Sequence, residues 1–238
     1  MPLHTSIRSA LRLAAVAALA ACAAVTVAAE EGAKDYSPAE RAIFMSDHLA
    51  KVHAPATLNY TFRRTGSLET AFDDKVAIQL KPAADGSCCS ASGEFLSGER
   101  HLVLPDIDEA KANPVILYFL EHDVRDMQRL TKGQQGYFRK RIRMAIYDGA
   151  SLRDVSLKYR GEAVAAHEIA IAPYTNDPNR SRFEKFADKQ YVFTLSDAVP
   201  GGIYAIRSQV ADKDKPAGAP PLIAEELLLD GAEPNGTR

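Results

Sequence analysis

Three groups of residues in this sequence have types and spacings that could do chemistry. The first is Cys88-Cys89, two adjacent cysteines. In an oxidising compartment neighbouring cysteines can close a disulfide across their own peptide bond, which makes them candidates for redox work. As two thiolates they could instead hold a soft ion such as copper(I). The plain structural alternatives are two reduced thiols in a loop, or a bridge that stiffens a turn. No C-x-x-C occurs, so a thioredoxin-like site is not supported.

The second group is Glu121-His122-Asp123 with Asp126. His122 and Asp126 are four apart and share a helical face, so they could be two metal ligands. Glu121 or His122 could also serve as acid or base. No H-E-x-x-H or second ligand pair accompanies them, and Asp126 beside Arg125 or Arg129 reads more simply as a surface charge pair. The third group is basic. Arg125, Arg129, Lys132, Arg139, Lys140, Arg141 and Arg143 stand against Asp126 alone over 125–143. Such a segment could face anionic headgroups or an acidic partner, or be a solvated face balanced by Asp106, Asp108 and Glu109. The remaining histidines point nowhere in particular. His167 is expected among the apolar residues Ile169 and Ile171, and no G-x-S-x-G marks a nucleophile beside it, His101 or His48.

The elements that must position these groups are legible from periodicity. Ser37-Pro38-Ala39-Glu40 has the form of a capped helix start, and Ala42, Met45, Leu49 and Val52 continue it at helical spacing until Pro55. Leu58, Tyr60 and Phe62 alternate with polar residues, as do Val76, Ile78 and Leu80; Leu102 and Leu104 extend the pattern. The stretch 85–93 has the composition of a turn or loop. Asn113-Pro114 opens a second helix whose first half is apolar nearly all round, and Gly133 is its expected stop. A third helix is predicted from Gln135 to Tyr147. Strands return at 155–159, 167–171, 191–195, 203–210 and 222–229, with a short helix over 182–188. Val199-Pro200-Gly201-Gly202 suits a type II turn. Tyr118, Phe119, Tyr137 and Phe138 could line a pocket or be ordinary core.

The order of helix, strands, two helices, strands predicts an α+β fold. A curved antiparallel β-sheet packs around a central helical pair, with an N-terminal helix. The expected organisation is a signal peptide over 1–29, an N-terminal helical segment over 30–55, a single α+β domain over 56–230 and a flexible tail over 231–238. Arg8 and Arg12 precede an apolar, Ala-rich stretch, which is the pattern of a secretory leader. Val27-Ala28-Ala29 before Glu30 suits release of a soluble protein, while Leu19-Ala20-Ala21-Cys22 resembles a lipobox that would lipidate Cys22. Either implies a periplasmic or secreted location, lipid-anchored in the second case. The whole chain has 29 basic and 31 acidic residues, a formal net charge of −2, which argues against nucleic acid as partner.

In element order this chain resembles the periplasmic lipoprotein carriers and related β-clam proteins. Those wrap a curved antiparallel sheet around helices and hold acyl chains in the hollow. The resemblance spans most of 56–230 and carries no motif, so no functional residue transfers. YFLEHDVRDMQRLTKGQQGYFRKRIRMAI (118–146) and YVFTLSDAVPGGIY (191–204) also resemble uncharacterised proteobacterial exported proteins, which names no chemistry.

The resulting expectation is an envelope protein that binds rather than catalyses. Its ligand would be hydrophobic or amphipathic, or an envelope or membrane-surface partner, held between the sheet and helix 114–130. Leu117, Phe119, Leu120 and Val124 would give apolar contact, and Arg139, Lys140 and Arg143 would attract an anionic headgroup. No cofactor is expected. The alternatives are a soft-metal or thiol-redox protein using Cys88 and Cys89, and an enzyme with a dispersed site.

Overall fold

The computed structural model describes residues 35–83, 88–216 and 218–234. The expected leader, with Cys22, and the end of the tail lie outside them. Eight strands form one antiparallel sheet: β1 (Ala56–Thr65), β2 (Phe72–Pro82), β3 (Cys88–Phe95), β4 (Ser151–Tyr159), β5 (Glu162–Ile171), β6 (Gln190–Leu195), β7 (Ile203–Val210) and β8 (Ile223–Leu229). The order across the curved sheet is β3-β2-β1-β8-β7-β6-β5-β4. β8 therefore joins two meanders at the centre by pairing with both β1 and β7. Two helices, α2 (Val115–Thr131) and α3 (Gln135–Asp148), pack together against it. The α+β fold with a curved antiparallel sheet and a helical pair is thus as expected.

The period of two explains which residues form the core. Leu58, Tyr60 and Phe62 of β1, Val76, Ile78 and Leu80 of β2, and Leu227 and Leu229 of β8 are all buried. α2 starts where Asn113 is placed: its Oδ1 accepts the Val115 N–H at 3.1 Å, and its Nδ2 donates to the Tyr60 hydroxyl and the Gly201 carbonyl, both at 2.8 Å. Gly201 has φ +71°, and the Gly202 N–H bonds the Val199 carbonyl at 3.2 Å, as the type II turn requires. The helix stops one residue before its expected glycine, at Lys132 with φ 60°.

Four elements differ from the sequence reading. The N-terminal helix is short: α1 (Pro38–Glu40) runs into a π-helical turn, Arg41–Met45, and ends there. Both the N–H and the hydroxyl of Ser46 bond the Arg41 carbonyl and close the helix. Leu49 still reaches the core, through a turn whose N–H bonds the Lys111 carbonyl. The Cys88–Phe95 stretch is a strand rather than a loop, paired along β2. Leu102–Leu104 is not a strand: Leu102 makes one bridge to Phe95, and Ile107 another to Ala91. Residues 103–106 hang between those anchors as a strap. The predicted 182–188 helix is two short 3-10 turns, Arg180–Arg182 and Glu184–Asp188. At the C-terminal end, where a flexible tail is expected, Ala232 bridges Tyr159 and the Glu233 N–H bonds the Lys158 carbonyl, tying residues 231–234 to β4.

Candidate functional site: an apolar groove outside helix α2

α2 has two working faces, and the sheet-facing one is closed. The Phe119 ring lies 6.3 Å from that of Phe62, and His122 packs edge-on to Phe62 at 5.3 Å. Phe119 is fully buried. Among the described residues, side chains fill the space between sheet and helix at Phe62, Phe119 and His122, where the site is expected. The curved sheet closes onto α2 because its inward residues are large and aromatic.

That closed face also carries charge. Arg64 continues the inward row of β1, and Glu225 that of β8. The Arg64 Nε donates to Glu225 at 2.9 Å, and its Nη2 reaches both Glu225 and Asp126. The same Nη2 lies 3.3 Å from His122 Nε2, which is 3.0 Å from Glu225. Arg64 Nη1 and Arg129 share Glu69. His122, Asp126 and Glu225 hold ligand atoms within 4.8 Å of one another. The Arg64 guanidinium pairs with both carboxylates, and His122 Nε2 donates to Glu225, so a built-in cation already occupies the centre of the predicted His122/Asp126 pair. One helical turn away, Asp123 is fully buried, pairs with Lys189 and accepts from the Tyr191 hydroxyl at 2.6 Å. Ser208 donates to Glu225 at 3.2 Å and joins the two clusters.

These environments shift the two buried carboxyls in opposite directions. Burial raises Glu225, but His122, Lys189 and Arg64 outweigh it and hold the group well below its ordinary 4.5. Burial raises Asp123, Lys189 pulls it down, Glu225 pushes it up again, and the net is upward. Every carboxylate oxygen in this network has a protein partner among the described residues.

The other face of α2 is open. A cavity of about 490 Å³ lies between α2, α3 and the 103–106 strap. Leu117, Leu120 and Val124 form one wall and Ile142 of α3 the opposite one. Val103, Leu104 and Pro105 of the strap and Phe44 complete the lining. Its size falls in the range of about 300–1,000 Å³ usual for small-molecule sites. Leu117 and Val103 are 51% and 76% exposed there. Tyr118 forms part of the floor and donates to the Pro105 carbonyl at 3.3 Å. Its ring takes the space where a side chain at position 93 would sit: a Cβ on Gly93 would lie 2.0 Å from it. Gly93, one of the small residues of β3 that read as a loop, is the seat of this tyrosine.

Three arginines, Arg125, Arg139 and Arg143, rim the groove. Glu121 holds two of them, accepting from Arg125 at 3.1 Å and from Arg139 at 2.9–3.0 Å. Burial raises the Glu121 carboxyl, but the two guanidiniums outweigh it and keep it below its ordinary value. Among the described residues Arg143 has no hydrogen-bond or ion-pair partner.

Of the residues singled out in the sequence, Leu117, Leu120, Val124, Arg139 and Arg143 thus share one groove. Phe119 lies on the far side of the helix, and Lys140 is exposed outside the lining. Sequence reasoning missed the strap, Phe44 and Arg125 as lining, and missed Arg64 and Glu225 as the inner charges. Those last two follow from simply extending the alternation of Leu58-Tyr60-Phe62 and of Leu229-Leu227 by one step. Cys88 and Cys89 are joined as a disulfide, Cys88 exposed and Cys89 buried, and neither lines the groove. His167 is exposed beside Asp154 rather than seated among apolar neighbours, and His101 is also exposed. His48 Nε2 donates to the Ala42 carbonyl at 2.8 Å while its Nδ1 accepts from Asn113 at 3.1 Å, so it is a neutral bracket for the start of α2. Tyr137 donates to Asp177, and Phe138 is fully buried. Among the described residues, no helix is long and apolar enough to cross a membrane.

No protein-family model matches the chain, and no curated protein matches it. Among solved structures it is similar to the crystal structure of the lipoprotein LppX of Mycobacterium tuberculosis. The identity is 10% and the TM-score 0.31, over 78% of this chain and 91% of that one. Likeness of that size carries no argument about function.

Proposed function

We propose that the chain is an exported envelope protein that binds an amphipathic ligand, without catalysis, in the groove between α2, α3 and the strap. The observation that carries this reading is an apolar cavity of about 490 Å³ with half-exposed Leu117 and exposed Val103 at its mouth and, at its rim, an Arg143 without a partner among the described residues. Exposing such surface is unfavourable unless something covers it. The apolar walls supply affinity, and the basic rim orients the ligand with its polar end toward solvent. Arg8 and Arg12 ahead of an Ala-rich stretch support a periplasmic or secreted location, with Cys22 as the anchor if the lipobox is used.

The test exploits the complete lack of tryptophan. A Val103→Trp reporter on the strap should shift its emission to the blue when a twelve-carbon amphiphile is added. Leu117→Asp, at a half-exposed position, should abolish the shift while changing stability by less than about 0.5 kcal/mol. No shift with any amphiphile sinks the proposal. The thiol-redox reading of Cys88–Cys89 has one observation in its favour, the exposure of Cys88. Thiol titration with and without a mild dithiol reductant tests it, and a pair that stays closed under reductant removes it.

A further inference from the structure

We infer that the groove takes a single-chain anionic amphiphile of the fatty-acid kind, its carboxylate on Arg143 and its chain along Leu117, Leu120 and Val124. This rests on the groove reading above and adds the ligand class. The argument begins with charge. The rim holds three guanidiniums and one carboxylate, Glu121. Both Glu121 oxygens are already engaged by Arg125 and Arg139, which fixes those two arginines in place. Gln135 also accepts from Arg139 at 2.9 Å. Arg143 alone keeps its whole fork of donors free among the described residues, beside walls that are apolar. A planar fork with no partner matches one carboxylate in bidentate geometry. The rim's excess positive charge excludes a cationic head and disfavours an uncharged one.

Size limits the chain. Taking ~30 Å³ per methylene-sized group, close to the share of a water molecule in the liquid, a 490 Å³ cavity takes on the order of fifteen such groups. That is one alkyl chain. A two-chain lipid would leave its second chain in water. The chain has a floor as well as walls, because Tyr118 is pressed against the bare backbone at Gly93 and cannot sink further. The site is open along its mouth, so the ligand can enter without unfolding of the helical pair. Lys140, one position after Arg139, is exposed and outside the lining, and so serves as a charge control on the same helix.

Dodecanoate, dodecanol, dodecylamine and a diacyl phosphatidylglycerol would be titrated into the full processed protein by calorimetry. Dodecanoate should bind about tenfold more tightly than dodecanol, with dodecylamine and the diacyl lipid weaker than both. Arg143→Gln should erase the carboxylate's advantage and leave dodecanol unchanged, and Lys140→Gln should change neither. Equal affinities for carboxylate and alcohol, or equal effects of the two substitutions, overturn the anionic assignment while the groove reading stands. Tight diacyl-lipid binding overturns the single chain. Failure of all four ligands removes the groove reading together with the class.

Discussion

The two faces of helix α2 invert the usual arrangement of a globular protein. Its inward face carries or meets Arg64, His122, Asp123, Asp126, Lys189 and Glu225, six ionisable side chains gathered in two adjoining clusters. Its outward face shows Leu117, Leu120 and Val124 to a cavity. What separates the two is partnership rather than polarity. Each inner charge has a bonded counter-charge, so the network is closed and fixes how α2 sits on the sheet. On the outer wall Leu117 is half exposed, Leu120 and Val124 border the cavity from the core, and Arg143 has no partner among the described residues, so this face is free to meet a ligand. The polar cluster looks more like an active site in sequence, yet the bland leucine face is the one open to solvent.

The contrast can be attacked from either side, and the largest effects belong to the inner face. Glu225→Ala strips Arg64 and His122 of their shared acceptor and leaves a buried guanidinium short of a partner. It should cost about 3–5 kcal/mol in urea unfolding. A loss below about 1 kcal/mol would mean the inner network is not what holds α2. Gly93→Ala comes next, because the new Cβ must displace the Tyr118 ring. A loss of about 1–3 kcal/mol is expected, together with weaker amphiphile binding, since the groove floor moves. Unaltered binding would separate floor from site. Asn113→Ala removes the acceptor for the Val115 N–H and the bonds to Tyr60 and Gly201, and should cost about 1–2 kcal/mol without changing ligand preference.

Acid should cost the inner face more than the outer one, because Glu225 is the more strongly depressed carboxyl. Glu225 is held below its ordinary 4.5 in the folded state. Its contribution is therefore fully present above that value and is lost as pH falls toward the depressed folded value. Glu121, Asp74 and Asp188 are shifted down and act in the same direction. Asp123 is shifted up, so its contribution is present below its ordinary 3.8 and is lost as pH rises through the folded value. It offsets part of the acid loss. Burial lowers His48 against its partners' pull, so its bracket holds above about 6.5 and weakens as pH falls below that. Stability measured from pH 7 to 3 should fall, and Glu225→Gln should flatten the steepest part. An acid limb unchanged in that variant would assign the loss to surface pairs. The smallest stability effect is that of Leu117→Asp, under about 0.5 kcal/mol, paired with the loss of ligand binding. If it destabilised as much as Glu225→Ala, the outer face would be core and the contrast would fail.

How far the sequence was readable depended on whether local pattern or distant packing governs each element. β1, β2 and the strands from β4 to β8 were legible from alternation, and α2 from Asn113-Pro114, because those signals act within a few residues. β3 was not, since Cys88-Cys89-Ser90-Ala91-Ser92-Gly93 has the residues of a turn. Its Gly93 is bare because the ring of Tyr118, which belongs to another element, takes the space of a side chain there. The N-terminal helix was over-extended because Leu49 and Val52 keep helical spacing after Ser46 has already closed the turn. Five of the seven proposed ligand residues came together because they lie on adjoining faces of α2 and α3. Phe119 did not, since an apolar half-helix has no label for which side faces the sheet.

By itself, then, the sequence determined the fold class, the alternation that assembles the sheet and the start of the central helix. Those are properties of neighbours along the chain. Only the tertiary structure decided that Arg64 enters the core to neutralise Asp126 and Glu225 beside His122, and that Glu121 occupies two of three rim arginines. It also decided that the open space lies outside α2 rather than beneath it. The reason is that pairing and cavity are set by side chains distant in sequence, and a charge or a leucine acquires its role from what it meets.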